Sequence, residues 1–244
     1  MHKIFTMNKF VCVLFFLLQP VLVFSQSQVS ADRAIAIADS VIQMMGGQKN
    51  WDEVHCLRWD FFGRRTLYWD KWTGDVRIEI PSQKLLILTN LSTKQGHVYR
   101  DNHELLQEDS ITYFMERGFK IWANDSYWLI MPFKLRDQGV KLVYLGTAND
   151  ATGIPCLKLE LTFDNVGVTP HNKYHVYINA ENYLVTQWDY FEKYTDENPA
   201  ISNPWDNYQW YGKILLSDDR GTARGKLANI VVQEQFREGL FERP

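Results

Sequence analysis

The residues best suited to chemistry in this chain are few. His171 and His175 stand four apart, a spacing that on a helix would place two imidazoles on one face for a metal. Pro170 precedes them and a strand-like run over 174–178 follows, with no glutamate of a zinc-protease motif. No metal is expected there. His55 and Cys56 are adjacent, and neighbours on a strand point to opposite faces, which makes them a poor chelate. There is no Gly-x-Ser-x-Gly nucleophile elbow. Cys156 lies beside Lys158 on the polar face of its strand, and its structural reading is a buried thiol or a disulfide with Cys56. Both cysteines fall opposite the Leu/Trp series of their strands, so a Cys56–Cys156 bridge is a candidate. The carboxylates Asp60, Asp70, Asp75, Glu79, Glu160 and Asp189 mark no acid/base pair by spacing, and they suit a solvated sheet face. Arg58, Arg64, Arg65 and Arg77 are of more interest, because one that points inward needs an acidic partner or an anionic ligand. These readings predict no catalytic group, no metal and no cofactor.

The aromatic content is the stronger signal. Nine tryptophans occur in 244 residues. A dense run at 127–133 adds Tyr127, Trp128, Leu129, Ile130, Met131 and Phe133, closed by Pro132. One reading is an apolar cavity lined by rings and covered by a lid. Its candidate residues are Trp59, Trp69, Tyr127, Trp128, Leu129, Met131, Phe133 and Trp188. The other is that large rings fill the space between sheet and helices.

The elements that must position these groups follow from periodicity. Residues 1–25 read as a secretory signal: Lys3 and Lys9, an apolar run over 10–24 interrupted by Gln19 and Pro20, and a small-residue ending at Ser25. The run is too short for a membrane span, and Cys12 precedes most of it, the wrong order for a lipidation site. Removing Lys3 and Lys9 moves the formal net charge from −3 to −5. An acidic domain argues against a nucleic-acid partner. Residues 26–244 read as one domain. Ser30 is the expected N-cap of a first helix, with Ile35, Ala38, Val41, Ile42 and Met45 as its stripe and Gly46-Gly47 as its stop. Strand alternation follows at Leu57, Trp59 and Phe61, then Leu67 and Trp69, then Val76, Ile78 and Ile80. Residues 103–134 read as helical, and 141–145, 157–163, 174–178 and 183–191 as strands. Segments 208–216 and 227–232 are expected to close the sheet as a pair. The fold class is α+β, mainly β: a curved antiparallel sheet or half-barrel around an N-terminal helix and a central helical insertion.

Several stretches carry a family resemblance: Gly46-Gly47 with Trp51, Phe61-Phe62-Gly63-Arg64, Tyr68-Trp69-Asp70, residues 124–135, residues 140–146, and Tyr211-Gly212-Lys213-Ile214-Leu215-Leu216. Over nearly all of residues 26–244 the chain resembles an uncharacterised family of bacterial envelope proteins. The resemblance implies a fold similar to the lipoprotein carriers LolA and LolB, in which an incomplete barrel holds helices over an apolar cavity. It implies no activity, and no carrier residue maps onto this chain. The expected function is an exported, non-enzymatic binding or carrier domain for an apolar ligand, a lipid or lipoprotein acyl chain, with the periplasm as its place and transient membrane contact. The alternatives are an envelope interaction scaffold and a hydrolase with an unrecognised site.

Overall fold

The computed structural model describes residues 19–164 and 168–244, with side chains described from Gln28 onward. Most of the expected export signal lies outside the described residues. Among the described residues, no helix is long and apolar enough to cross a membrane.

Among the described residues, two large open antiparallel sheets, a separate two-stranded hairpin and two long helices make up the fold. Helix α1 spans Gln19–Met44 and the short α2 spans Gln48–Glu53. Ser30 is therefore inside α1 rather than capping it. Its hydroxyl donates to Tyr144 O at 3.0 Å, tying the helix to the second sheet. The stripe of Ala34, Ile37, Ala38, Val41, Ile42 and Met45 is buried, while Ile35 is turned toward solvent. Gly46 and Gly47 stop the helix at φ 110° and 86°, values that side chains resist. A Cβ at Gly46 would also collide with the Lys213 carbonyl.

The first sheet has the order β14-β1-β2-β3-β4-β5-β6. Its strands are β1 Cys56–Phe61, β2 Arg65–Asp70, β3 Asp75–Ile80, β4 Leu85–Asn90, β5 Gly96–Arg100, β6 His103–Glu104 and β14 Leu227–Gln233. Alternation sends Leu57, Trp59, Phe61, Leu67, Trp69, Val76, Ile78 and Ile80 inward, and all are buried. The register fixes this face, with Leu57 opposite Trp69 and Trp59 opposite Leu67. The second sheet, β11-β10-β9-β8-β7, is built from β7 Val140–Asn149, β8 Pro155–Phe163, β9 Lys173–Asn179, β10 Val185–Phe191 and β11 Ile201–Pro204. Residues 208–216 do not form a single strand. Tyr211-Gly212, with Gly212 at φ 63°, turns them into a hairpin of β12 Asp206–Tyr211 and β13 Ile214–Asp219. It is β14 that completes the first sheet, against β1.

The central insertion is α3, Glu108–Ile130, followed by a tight helical turn, Met131–Lys134. Glu108 and Asp109 suit the positive end of its dipole. Gly118 lets α3 lie close on the first sheet, since a Cβ there would be 3.1 Å from Ile87 Cγ2 and 3.3 Å from Thr89 Cγ2. One apolar cluster runs from α1 through both sheets to α3.

The Cys56–Cys156 bridge is not formed. Both thiols are free and buried. Cys56 belongs to the first sheet, where its Sγ faces Glu234 O at 3.9 Å. Cys156 belongs to the second, with its Sγ 3.4 Å from Thr186 Oγ1. Each lies opposite its own strand's core series, so each faces the outside of a different sheet.

Candidate ligand-binding cleft

A cleft of about 400 Å³ opens between the C-terminal half of α3 and one end of the second sheet. Phe119, Trp122, Tyr127 and Trp128 come from the helix; Phe163, Tyr174 and Trp188 come from β8, β9 and β10. Helical spacing brings 119, 122 and 126 to one face, and strand pairing brings the sheet rings together across it. Tyr174 stacks on Trp188 at 5.0 Å and 6°, and Trp128 meets Trp188 edge-on at 4.7 Å. Tyr127 closes the wall 5.4 Å from Tyr174 and 6.0 Å from Trp188. Burial holds the Tyr127 and Tyr174 phenols well above their ordinary pKa, so both rings stay neutral. Lys120, Asn124, Lys134, Asp137, Gln138 and Thr169 supply the polar part of the lining. Lys134 and Asp137 neutralise one another at 2.5 Å.

Two inward-pointing cations, a half-buried Arg65 and a buried Arg220, fix the helical wall. Arg65 at the start of β2 grips Asp125 with Nε and Nη2, at 2.5 and 2.6 Å, and Asn124 Nδ2 adds a third bond to the carboxylate at 2.9 Å. This realises the requirement that an inward arginine find an acid. Burial, the largest influence, raises the Asp125 pKa, while the Arg65 bonds lower it. Arg220, fully buried, donates from Nη2 to Trp128 O at 2.6 Å and lies 3.5 Å over the Trp205 ring. Trp128 O is among the last four carbonyls of α3, which have no partner within the helix. A guanidinium there satisfies the carbonyl and complements the dipole.

Of the sequence-predicted cavity residues, Tyr127, Trp128 and Trp188 line the cleft. Trp59, Trp69, Leu129, Met131 and Phe133 do not. They are buried in the core, where Phe133 stacks on Trp51 at 4.7 Å. Leu129 is buried within α3 itself, and the Met131–Lys134 turn that follows packs against α1, so Met131 and Phe133 are core and form no lid. Phe119, Trp122, Phe163 and Tyr174 were missed as lining residues. The ring at each position was visible, but the end of the sheet that faces α3 is set by tertiary packing. Among the described residues, the buried indole N–H groups of Trp59, Trp69, Trp122, Trp188 and Trp205 meet no acceptor.

His171 and His175 do not share a helix: His171 lies in the turn before β9 and His175 within that strand. His175 Nε2 meets Glu160 at 3.2 Å on the second sheet, and burial, against the pull of Glu160, lowers its pKa. His55 and Cys56, expected to diverge, converge instead with Asp70 so that their ligand atoms lie within 4.8 Å of one another. His55 precedes β1, which begins at Cys56, so strand alternation does not bind it. Burial pushes the Cys56 thiol up to about 11 and the charge of Asp70 adds to this, which leaves it a poor nucleophile.

No family model and no curated protein matches the chain. Among solved structures it is similar to a DUF1329 family protein from Desulfovibrio piger at 14% identity and TM-score 0.45, covering 86% of this chain and 97% of that one. It is similar also to a putative outer membrane lipoprotein-sorting protein domain from Vibrio parahaemolyticus, at 10% identity and TM-score 0.42, covering 87% and 97%. A LolA superfamily protein from Nitrosomonas europaea is similar at 9% identity and TM-score 0.40, covering 86% and 97%.

Proposed function

We propose that this chain is an exported, non-enzymatic binding domain that holds an apolar chain, a lipid or the acyl group of a lipoprotein, in the cleft beside α3. On this reading residues 1–25 direct export to the periplasm and residues 26–244 form one domain. The two sheets and the β12–β13 hairpin act together as an open half-barrel, with α3 as the wall of its trough. The observation that carries the reading is the lining of one cleft by the rings of Phe119, Trp122, Tyr127, Trp128, Phe163, Tyr174 and Trp188. Its volume of about 400 Å³ falls in the range of about 300–1,000 Å³ usual for small-ligand sites. Apolar burial at about 25 cal/mol per Å² would supply most of the affinity.

Titration with a fluorescent fatty acid tests this. Saturable uptake is expected in the wild type, with Ala123→Trp, which fills the cleft from a half-buried position, weakening it at least tenfold while leaving the thermal midpoint near wild type. Absence of saturable uptake, or uptake unchanged in Ala123→Trp, would rule the cleft out as an acyl site.

A further inference from the structure

On the outer face of the first sheet, away from the cleft, three ligand types meet at one point. Cys56 opens β1 and stands directly opposite Asp70, the last residue of β2, so their side chains share a face. His55 leans onto the same face and brings Nε2 to 3.1 Å from Asp70 Oδ2. Cys56 Sγ completes the group, all three ligand atoms lying within 4.8 Å. We propose that His55, Cys56 and Asp70 form a binding site for a single zinc-class transition-metal ion.

Outer contacts hold two of the three residues, Asp70 and His55, as a metal site needs. Asp70 Oδ1 accepts the backbone N–H groups of Trp72 and Thr73, each at 3.0 Å, which pins the carboxylate and presents Oδ2 to the imidazole. The Trp72 ring stacks on the imidazole at 4.3 Å and 16°, holding its plane. Such outer contacts orient ligands and raise affinity. The 3.1 Å between Nε2 and Oδ2 is close to the ~3.3 Å edge of a tetrahedron with bonds of ~2.0–2.1 Å. The sulfur lies within 4.8 Å of both other ligand atoms, so it has at most about 1 Å to close to reach its ~3.6 Å edge. An imidazole, a thiolate and a carboxylate select zinc, or cobalt in its place, over calcium or magnesium, which take oxygen ligands. Three protein ligands leave a fourth position for water.

Cobalt substitution reads the site directly. Full-length protein stripped with a chelator is titrated with Co²⁺, then with Zn²⁺ against a chromophoric chelator. One equivalent of Co²⁺ is expected to give a thiolate-to-metal charge-transfer band and tetrahedral visible absorption, both displaced by Zn²⁺ and unaffected by Mg²⁺. Cys56→Ser should abolish the charge-transfer band. Cys56→Ser, His55→Gln and Asp70→Asn should each weaken zinc by more than about 100-fold, beyond the ~10–100-fold that losing an outer contact costs. Absence of the band, or zinc affinity unchanged in His55→Gln, would overturn the site. His55→Gln decides the matter even if Cys56→Ser fails to fold, since His55 lies outside the strand. The result is independent of the cleft, because acyl uptake and metal loading are read by different probes.

Discussion

Asp125 shows how a single residue can hold position at a cost to stability. Its side chain is fully buried, yet Arg65 remains about one-fifth exposed. Burial raises the carboxyl pKa despite the guanidinium, so the folded chain holds this proton more tightly than the unfolded chain does. The sign follows: the contribution of this carboxyl is fully present below 3.8 and is lost as pH rises through its higher folded value. The wild type should therefore lose stability relative to Asp125→Asn across that window, measured as urea midpoints on either side of it. At neutral pH, Asp125→Ala should cost about 3 kcal/mol, the low end for breaking a buried pair because Arg65 is partly hydrated. The double change Arg65→Met with Asp125→Leu should restore most of that loss. A double variant as unstable as Asp125→Ala would mean that the pair stabilises the fold outright.

At the scale of elements, α3 is placed by how closely it can approach β4. Gly118 is a point of close approach, where an added Cβ would meet the methyl groups of Ile87 and Thr89. Gly118→Leu should destabilise by roughly 1–3 kcal/mol through overpacking, read by chemical denaturation. It should also displace the helical wall of the cleft and lower fatty-acid uptake with it. Gly118→Ala is a finer probe. The methyl gains about 1 kcal/mol of helix propensity and meets contacts tighter than usual, so the two effects should nearly cancel. A large loss for Gly118→Ala would show that the sheet beneath α3 cannot yield by even a few tenths of an ångström.

For the whole molecule, the two sheets and the C-terminal segment decide what the cysteines can do. Phe236 packs on Tyr68 at 5.6 Å, and Arg77 donates to the carbonyls of Leu240 and Arg243, so residues 236–243 cover part of the first sheet's outer face. Cys56 is 1% exposed and Cys156 fully buried. Neither should react with a thiol reagent in the folded protein, and both should react in denaturant without prior reduction. Truncation after Gln233 should expose Cys56 selectively, since Glu234 O lies against its sulfur. Recovery of a Cys56–Cys156 disulfide peptide by mass spectrometry would contradict this arrangement.

Sequence alone determined the local elements, because their causes are local. Period-two alternation picked out the inward faces of β1 to β3, the glycine pair stopped α1, and helical spacing found α3, although the helix does not begin at 103: His103–Glu104 pair with β5 as β6, and α3 starts at Glu108. It also showed the chain to be rich in rings. Only tertiary structure decided which rings line a cleft and which are core. Trp59 and Trp188 have the same chemistry, and they differ in the sheet that carries them: Trp59 is core in the first sheet, while Trp188 in the second lines the cleft beside α3. The same holds for the outer face. Alternation set His55 and Cys56 apart, but His55 stands one residue before the strand and is free to turn. Asp70 reaches them through a register fourteen residues away, between Cys56 and Asp70. Pairing between distant segments is a property of the packed chain, and no spacing along the sequence encodes it.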